Sequence, residues 1–102
     1  MCYSSHMVLE VSIEKYLCDA TKVRGGRAVK LHPSGAKGIP DRLVILPGAL
    51  IFVETKRPKG GVLDTLQIWW QKFLTRLGHP VHVLRTKEHI DDFFRDYDQV
   101  PR

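Results

Sequence analysis

The sequence predicts a single α/β domain in which helices flank a central mixed β-sheet, with its elements in the order α-β-β-β-α-β-α. Apolar residues recur at spacings of three and four in three segments, and short apolar runs of strand length lie between them. Glycine or proline separates most of these segments. The chain has 102 residues, a length that suits one hydrophobic core.

The helices are predicted from stripes of apolar residues. The first covers residues 8 to 23 and ends at Gly25-Gly26. The second covers residues 65 to 77, and its apolar stripe is expected to enter the core: Leu66, Trp70, Phe73, Leu74 and Leu77. Thr86 is a candidate N-cap for the last helix, whose apolar face is Ile90, Phe93, Phe94 and Tyr97.

Four strands are predicted, over residues 27–32, 42–46, 50–56 and 81–85. Residues 33–40 contain two glycines and two prolines and are expected to form a loop. Pro47-Gly48 predicts a turn that joins the second and third strands into a hairpin. All of residues 50–53 are apolar, which indicates a central strand.

The first seven residues show no periodicity, and Ser5-His6-Met7 is typical of a tag remnant. The domain is therefore expected to cover residues 8–102, with a disordered start at residues 1–7. No apolar run reaches the ~20 residues of a membrane span, and no secretory signal is visible. Together with only two cysteines, this predicts a cytoplasmic protein, in the host cytoplasm if a phage encodes it.

Charge is distributed unevenly along the chain. The net charge is +5, the region of residues 20–40 holds five lysines and arginines and no acid, and a second basic run follows at residues 56–59. The acidic residues gather after residue 87. This pattern suits a nucleic-acid partner, although a solvated surface with an acidic last helix would give the same composition.

The candidate residues for catalysis are Asp41, Glu54 and Lys56. Side chains alternate along a strand, so Glu54 and Lys56 share a face, and a hairpin turning at residues 47–48 brings Asp41 beside them. Two carboxylates with water are typical Mg²⁺ ligands, and a neighbouring lysine can orient water or offset charge on a phosphate. A salt bridge at a strand end is the structural alternative.

The spacing Pro40-Asp41, twelve residues, then Glu54-Thr55-Lys56 resembles the PD-(D/E)XK nuclease signature. The surrounding sequences, Gly38 to Val44 and Phe52 to Gly60, are similar to the VRR-NUC branch, and the similarity extends from about residue 8 to residue 97. The resemblance implies a restriction-endonuclease-like fold and a deoxyribonuclease that depends on Mg²⁺ or Mn²⁺. Likeness to Holliday-junction resolvases implies a homodimer acting on branched DNA.

The resemblance also implies roles for individual residues. Asp41, Glu54 and the carbonyl of Thr55 would bind the metal, and Lys56 would position the attacking water. A glutamate of the first helix would join them, and Glu14 is preferred to Glu10. Gln67 would face the active site, although Asp64-x-x-Gln67 also fits a capping box. The candidate DNA contacts are Lys30, Lys37, Arg57 and Lys59.

Other functions are compatible with parts of the sequence. A non-catalytic basic module would bind nucleic acid without needing Asp41 or Glu54. Nucleotide hydrolysis is disfavoured because no Walker-type glycine-rich loop is present. His79 and His82 have ligand-like spacing but lack the companions of a typical zinc site. Trp69 is expected to be exposed, which favours a dimer surface together with the strand near Val81; a stacked base is the alternative.

Overall fold

The computed structural model describes residues 10–32 and 34–101 of the chain, and side chains from residue 12 onward. The predicted start at residues 1–7, and the side chain of Glu10, lie outside the described residues. The predicted order of elements is confirmed: α1 Glu10–Val23, β1 Arg27–Lys30, β2 Arg42–Leu46, β3 Ala49–Thr55, α2 Thr65–Arg76, β4 Val81–Leu84 and α3 Lys87–Gln99.

The four strands form one mixed sheet in the order β1-β2-β3-β4. β1, β2 and β3 form an antiparallel meander, and β4 pairs with β3 in parallel. The turn between β2 and β3 has two residues, Pro47 and Gly48, and Gly48 takes the positive φ of 76° that a non-glycine residue adopts with difficulty. β3 is therefore a central strand, as its apolar run predicts.

The main core lies between the sheet and the pair α1 and α3. Ile13 and Leu17 of α1 pack with Ile90 and Phe94 of α3, and all four are almost fully buried. Strand residues that share their face of the sheet complete the core: Ala28, Val44, Leu46, Val53 and Leu84. Tyr97 of α3 donates a hydrogen bond of 2.6 Å to the carbonyl of Pro47, which holds the hairpin turn against this helix.

Among the described residues, α2 is the one helix on the opposite face of the sheet, and it covers that face only in part. Leu74 is the buried residue of this helix. The prediction that the whole stripe enters the core is wrong at its two ends, since Leu66 is 46% exposed and Leu77 is 55% exposed. A single helix reaches the sheet with one narrow face, so apolar residues beside that face stay in solvent.

In the described part of the chain, no helix has both the length and the apolar character needed to cross a bilayer. Both later helices begin with the caps that their sequences indicate. The Asp64 side chain accepts from the backbone of Gln67, and the Thr86 side chain accepts from the backbone of His89. These caps fix where α2 and α3 start relative to the sheet.

Candidate active site

Asp41 and Thr55 meet at the end of the sheet where β2 begins and β3 ends. The two carboxylate oxygens of Asp41 accept hydrogen bonds from the Thr55 backbone N–H at 3.1 Å and from the Thr55 hydroxyl at 2.8 Å. Thr55 is fully buried. The turn at residues 47–48 sets the register of the hairpin, and this register places Asp41 beside the end of β3.

Glu14 of α1 reaches the same place from the main core. One carboxylate oxygen lies 3.4 Å from the Thr55 hydroxyl, and the other lies 3.4 Å from a terminal guanidinium nitrogen of Arg42. A hydroxyl has one hydrogen, and the shorter contact assigns it to Asp41. Two carboxylates therefore flank a single Thr55 hydroxyl, and Arg42 partly offsets their charge.

The environment of Asp41 disfavours its charged form. Burial raises the pKa of Asp41, the two hydrogen bonds from Thr55 and the charge of Arg42 lower it, and the neighbouring Glu14 carboxylate raises it; the net direction is upward. A buried carboxylate beside a second one gains most from a cation. Raised carboxylate pKa values of this kind are common at functional sites.

Glu54 and Lys56 lie on the other face of β3, towards α2. Glu54 is 4% exposed, and one of its oxygens is 3.9 Å from the Lys56 ammonium. The same oxygen accepts a hydrogen bond of 3.3 Å from the Gln67 side chain. Burying a carboxylate is costly without such partners, so the lysine and the amide explain how Glu54 is tolerated at this position.

Gln67 serves both of the purposes that its sequence position suggests. Its side-chain oxygen accepts from the Asp64 backbone N–H at 3.0 Å, and its backbone N–H donates to Asp64 at 2.9 Å, which completes the capping box. Its side-chain nitrogen donates to Glu54. The two partners fix the orientation of the amide, because reversing it would place like groups against each other.

The candidate site is thus divided between two faces of one strand end. Asp41, Glu14 and Thr55 lie on the α1 side, and Glu54, Lys56 and Gln67 lie on the α2 side, with Glu54 and Thr55 adjacent in the chain. Among the described residues, no three His, Cys, Asp or Glu side chains converge closely enough to hold an ion by themselves. The donor set of carboxylate oxygens beside backbone suits a hard cation completed by water.

The four candidate DNA contacts are exposed and border this end of the sheet in different ways. Lys30 ends β1 and pairs in register with Arg42, the residue after Asp41. Lys37 lies in the loop before β2, and Arg57 and Lys59 follow the last residue of the site strand. The neighbouring Arg85 donates to the carbonyls of Arg57 and Gly61, which ties the basic loop to the end of β4.

Arg42 and Arg85 are site residues that the sequence reasoning missed. Arg42 contacts Glu14 and also donates to the Ala28 carbonyl at 3.3 Å, while its Nε is buried and has no hydrogen-bond partner in the described part of the chain. The sequence signal for this contact was the arginine directly after Asp41. A positive charge beside a candidate metal-binding carboxylate indicates that a second carboxylate lies nearby. Nothing local to Arg85 indicates its role, since both of its partners lie more than twenty residues away.

Comparisons with known proteins agree with this geometry. Over 83 residues the chain is 42% identical to "Putative nuclease p44" of Acyrthosiphon pisum secondary endosymbiont phage 1, covering 80% of this chain and 88% of the phage protein. A solved VRR_NUC domain superposes with a TM-score of 0.80 at 31% identity, covering 86% of this chain and 96% of that domain. No family model matches the chain. The fold, the strand-end carboxylates and these similarities show that the chain belongs to the VRR-NUC family of nuclease domains.

Proposed function

We propose that the chain is a metal-dependent endonuclease that cuts branched DNA, such as a four-way junction, as a homodimer. The observation that carries this proposal is the placement of Asp41 with Glu14, and of Glu54 with Lys56, on the two faces of one strand end. A module that only binds nucleic acid gains nothing from buried carboxylates, which would repel phosphate in the absence of a cation.

The metal-binding part of the site would consist of Asp41, Glu14, Glu54 and the carbonyl of Thr55, with Mg²⁺ or Mn²⁺ as the ion. When bound, the cation supplies positive charge for the phosphate and makes water more acidic. The raised pKa of Asp41 supports this assignment, because a cation removes the cost of ionising a buried carboxylate beside Glu14. Thr55 orients Asp41 through two hydrogen bonds.

Lys56 would supply a positive charge that can turn from Glu54 towards the substrate. Its ammonium lies 3.9 Å from Glu54, close enough to be held over the site and far enough to turn towards water or phosphate. It would direct the attacking water and offset the negative charge that develops as the phosphodiester bond breaks. Gln67 limits the motion of Glu54 from the opposite side. The basic residues around the strand end, Lys30, Arg57 and Lys59, would hold the DNA backbone.

The homodimer is supported by the edge of the sheet at β4. In the described part of the chain, β4 has β3 on one side and no strand on the other. Ile68 of α2 is 41% exposed, and Leu77 just before β4 is also in solvent. An open strand edge with apolar residues near it is a typical pairing surface, and a two-fold axis would present two sites to paired strands.

The test is cleavage of labelled four-way junction, flap and linear duplex DNA in Mg²⁺, in Mn²⁺ and in chelator. The variants are Asp41→Asn and Lys56→Ala. Lys22→Ala removes the same charge from α1 about 12 Å further along the helix than Glu14, and serves as the control. We expect metal-dependent cutting that both site variants lose by about a hundredfold or more and that the control keeps.

Two other outcomes would change the proposal. If the wild type binds each DNA but cuts none with either metal, the chain is the non-catalytic basic module. If sedimentation shows a monomer at micromolar concentration with junction DNA present, the homodimer is wrong and paired cutting at one junction needs another explanation.

A further inference from the structure

A cleft lies between α2 and the loop that leads into β2. It has a volume of about 370 Å³ and is lined by Gly35, Ala36, Lys37, Leu66, Trp69 and Trp70. We refer to these six residues as the α2 cleft. The volume falls in the range of clefts that bind small organic groups.

The two walls of the α2 cleft are fixed to each other. The indole N–H of Trp70 donates a hydrogen bond of 3.1 Å to the Lys37 carbonyl. At Gly38 the loop touches the helix so closely that a Cβ atom would lie 2.6 Å from the Cβ of Leu66, and the residue has a φ of +94°. The gap thus lies between a loop and a helix that are joined by a hydrogen bond and by a close contact at Gly38.

The chemistry of the α2 cleft suits a flat aromatic group joined to a phosphate. Trp69 is 52% exposed, although its ring is held by a parallel stack on Phe73 at 5.1 Å and by an edge contact with Trp70 at 5.2 Å. Leu66 adds an exposed apolar surface, and Lys37 is the one charged residue among the six. Exposed tryptophan and lysine together form the usual platform for single-stranded nucleic acid.

Both walls continue directly into the candidate active site. Pro40 and Asp41 follow the loop that contains Lys37, and Gln67, which donates to Glu54, follows Leu66. A group bound in the α2 cleft would thus be adjacent to a phosphate held at the strand end. A base inside a duplex has both faces covered by its neighbours, so only an unpaired, unstacked base can present a face to Trp69.

We propose that the α2 cleft binds an unpaired base of the DNA strand that is cut, with Trp69 stacking on the base and Lys37 contacting a neighbouring phosphate. The proposal rests on the proposed nuclease function and narrows its substrate class to branched DNA in which a nucleotide next to the scissile bond is unpaired. The homodimer has a different surface available at the β4 edge, which leaves the α2 cleft to the substrate.

The test uses duplexes that carry one bulged 2-aminopurine, whose fluorescence reports stacking, and the matching duplex with that base paired. Titrations are done in Ca²⁺ with the wild type, Trp69→Ala, Trp69→Phe and Lys37→Ala. The control is Val100→Ala, which removes a similarly exposed apolar side chain at the end of α3 that does not line the cleft.

We expect the wild type to quench the bulged base and to bind that duplex about tenfold more tightly than the paired one. Trp69→Ala should lose both effects, Trp69→Phe should keep most of them, and Val100→Ala should match the wild type. Lys37→Ala should weaken binding of both duplexes and reduce the salt dependence by about one phosphate contact.

The proposal is overturned if Trp69→Ala binds and quenches like the wild type. It is also overturned if Trp69→Ala lowers the sedimenting mass without changing DNA binding, since the cleft then belongs to a protein interface. Neither readout needs cleavage. If Trp69-dependent quenching occurs without any cutting, the proposed nuclease function is wrong and the base-binding site stands. If cutting occurs without such quenching, the base-binding site is wrong and the nuclease function stands.

Discussion

The two faces of the sheet differ in how completely they are covered. On the α1 and α3 face, Ile13, Leu17, Ile90 and Phe94 close a continuous core. On the α2 face, one helix buries Leu74 and leaves a row of apolar residues in solvent: Leu66, Ile68, Trp69 and Leu77. The first face provides the stability of the domain, and the second provides surface for other molecules.

The candidate active site lies where these two faces meet. Glu14 comes from the well-packed side, and Gln67 comes from the exposed side. One carboxylate of the site is therefore held by the core, while another is held by a helix whose outer surface is open. Glu54 is thus connected through Gln67 to the exposed helix and not to the core.

The largest expected effect is on the free energy of unfolding, and it differs between the two faces of the sheet. Phe94→Ala should lower the free energy of unfolding by about 3–5 kcal/mol, because it empties a filled core position. Leu77→Ala should cost less than about 1 kcal/mol, because its side chain is already half in solvent. Urea denaturation followed by circular dichroism measures both. Equal losses for the two variants would contradict the comparison, unless the Leu77 loss depends on protein concentration as in a dimer.

A second prediction tests how the core side holds Glu14. Arg42→Met keeps most of the side-chain stem but leaves Glu14 and Asp41 without their neighbouring cation. We expect a loss of about 2 kcal/mol in chelator, below the value for a fully buried pair because both partners are partly exposed. Chemical denaturation with and without Mg²⁺ measures it, and added Mg²⁺ should recover part of the loss. A loss below about 0.5 kcal/mol would show that Arg42 does not support the site.

A third prediction separates the two roles of Gln67 on the α2 side. Asp64→Ala removes the helix cap and should cost about 1 kcal/mol, with little change in cleavage at saturating DNA. Gln67→Glu can still complete the capping box but places a carboxylate against Glu54. Because it removes the donor to Glu54 and adds a like charge, it should lower the cleavage rate by about tenfold, out of proportion to its effect on stability. If both variants change stability and cleavage in proportion, the contact with Glu54 has no separate role.

The smallest effect is a pH dependence of stability that comes from Asp41. Because its folded pKa is raised, its stabilising contribution is complete below the unfolded pKa near 4 and is lost as the pH rises through the folded pKa. Asp41→Asn should therefore raise the melting temperature in chelator by a few degrees at pH 7 and by nothing at pH 3. Thermal unfolding across this range measures the difference. If Asp41→Asn raises the melting temperature by the same amount at every pH, the effect does not come from the titration of Asp41.

Much of the fold was predictable because it depends on local patterns. The Pro47-Gly48 turn and the apolar run of β3 are enough to place Asp41 beside residues 54–56, and the register of the hairpin confirms that placement. The exposure of Leu66 and Leu77 was not predictable. Spacings of three and four show that a helix has an apolar side, but not whether this chain or another molecule covers it.

The contacts within the site were only partly predictable. Gln67 had two interpretations in the sequence, a capping residue and an active-site residue, and both contacts form in the structure because the amide has two ends. The contact between Arg42 and Glu14 joins residues of different elements far apart in the chain. No local pattern records such a pair, so only the packed arrangement of α1 against β2 reveals it.

The parallel pairing of β3 with β4 has a consequence for how the domain folds. β1, β2 and β3 are joined through residues 31–41 and 47–48, and both connections are shorter than residues 56–80 between β3 and β4, so these three strands can pair first. β3 gains its second neighbour only after α2 has formed and the chain has returned, when Phe52 meets Val81 and the Lys56 N–H meets the Leu84 carbonyl. Closing the longest loop is the slow step of such a topology. The end of the strand that carries Glu54 and Lys56 is thus assembled late in folding, so an incompletely folded chain would already have its hairpin but not yet its complete site.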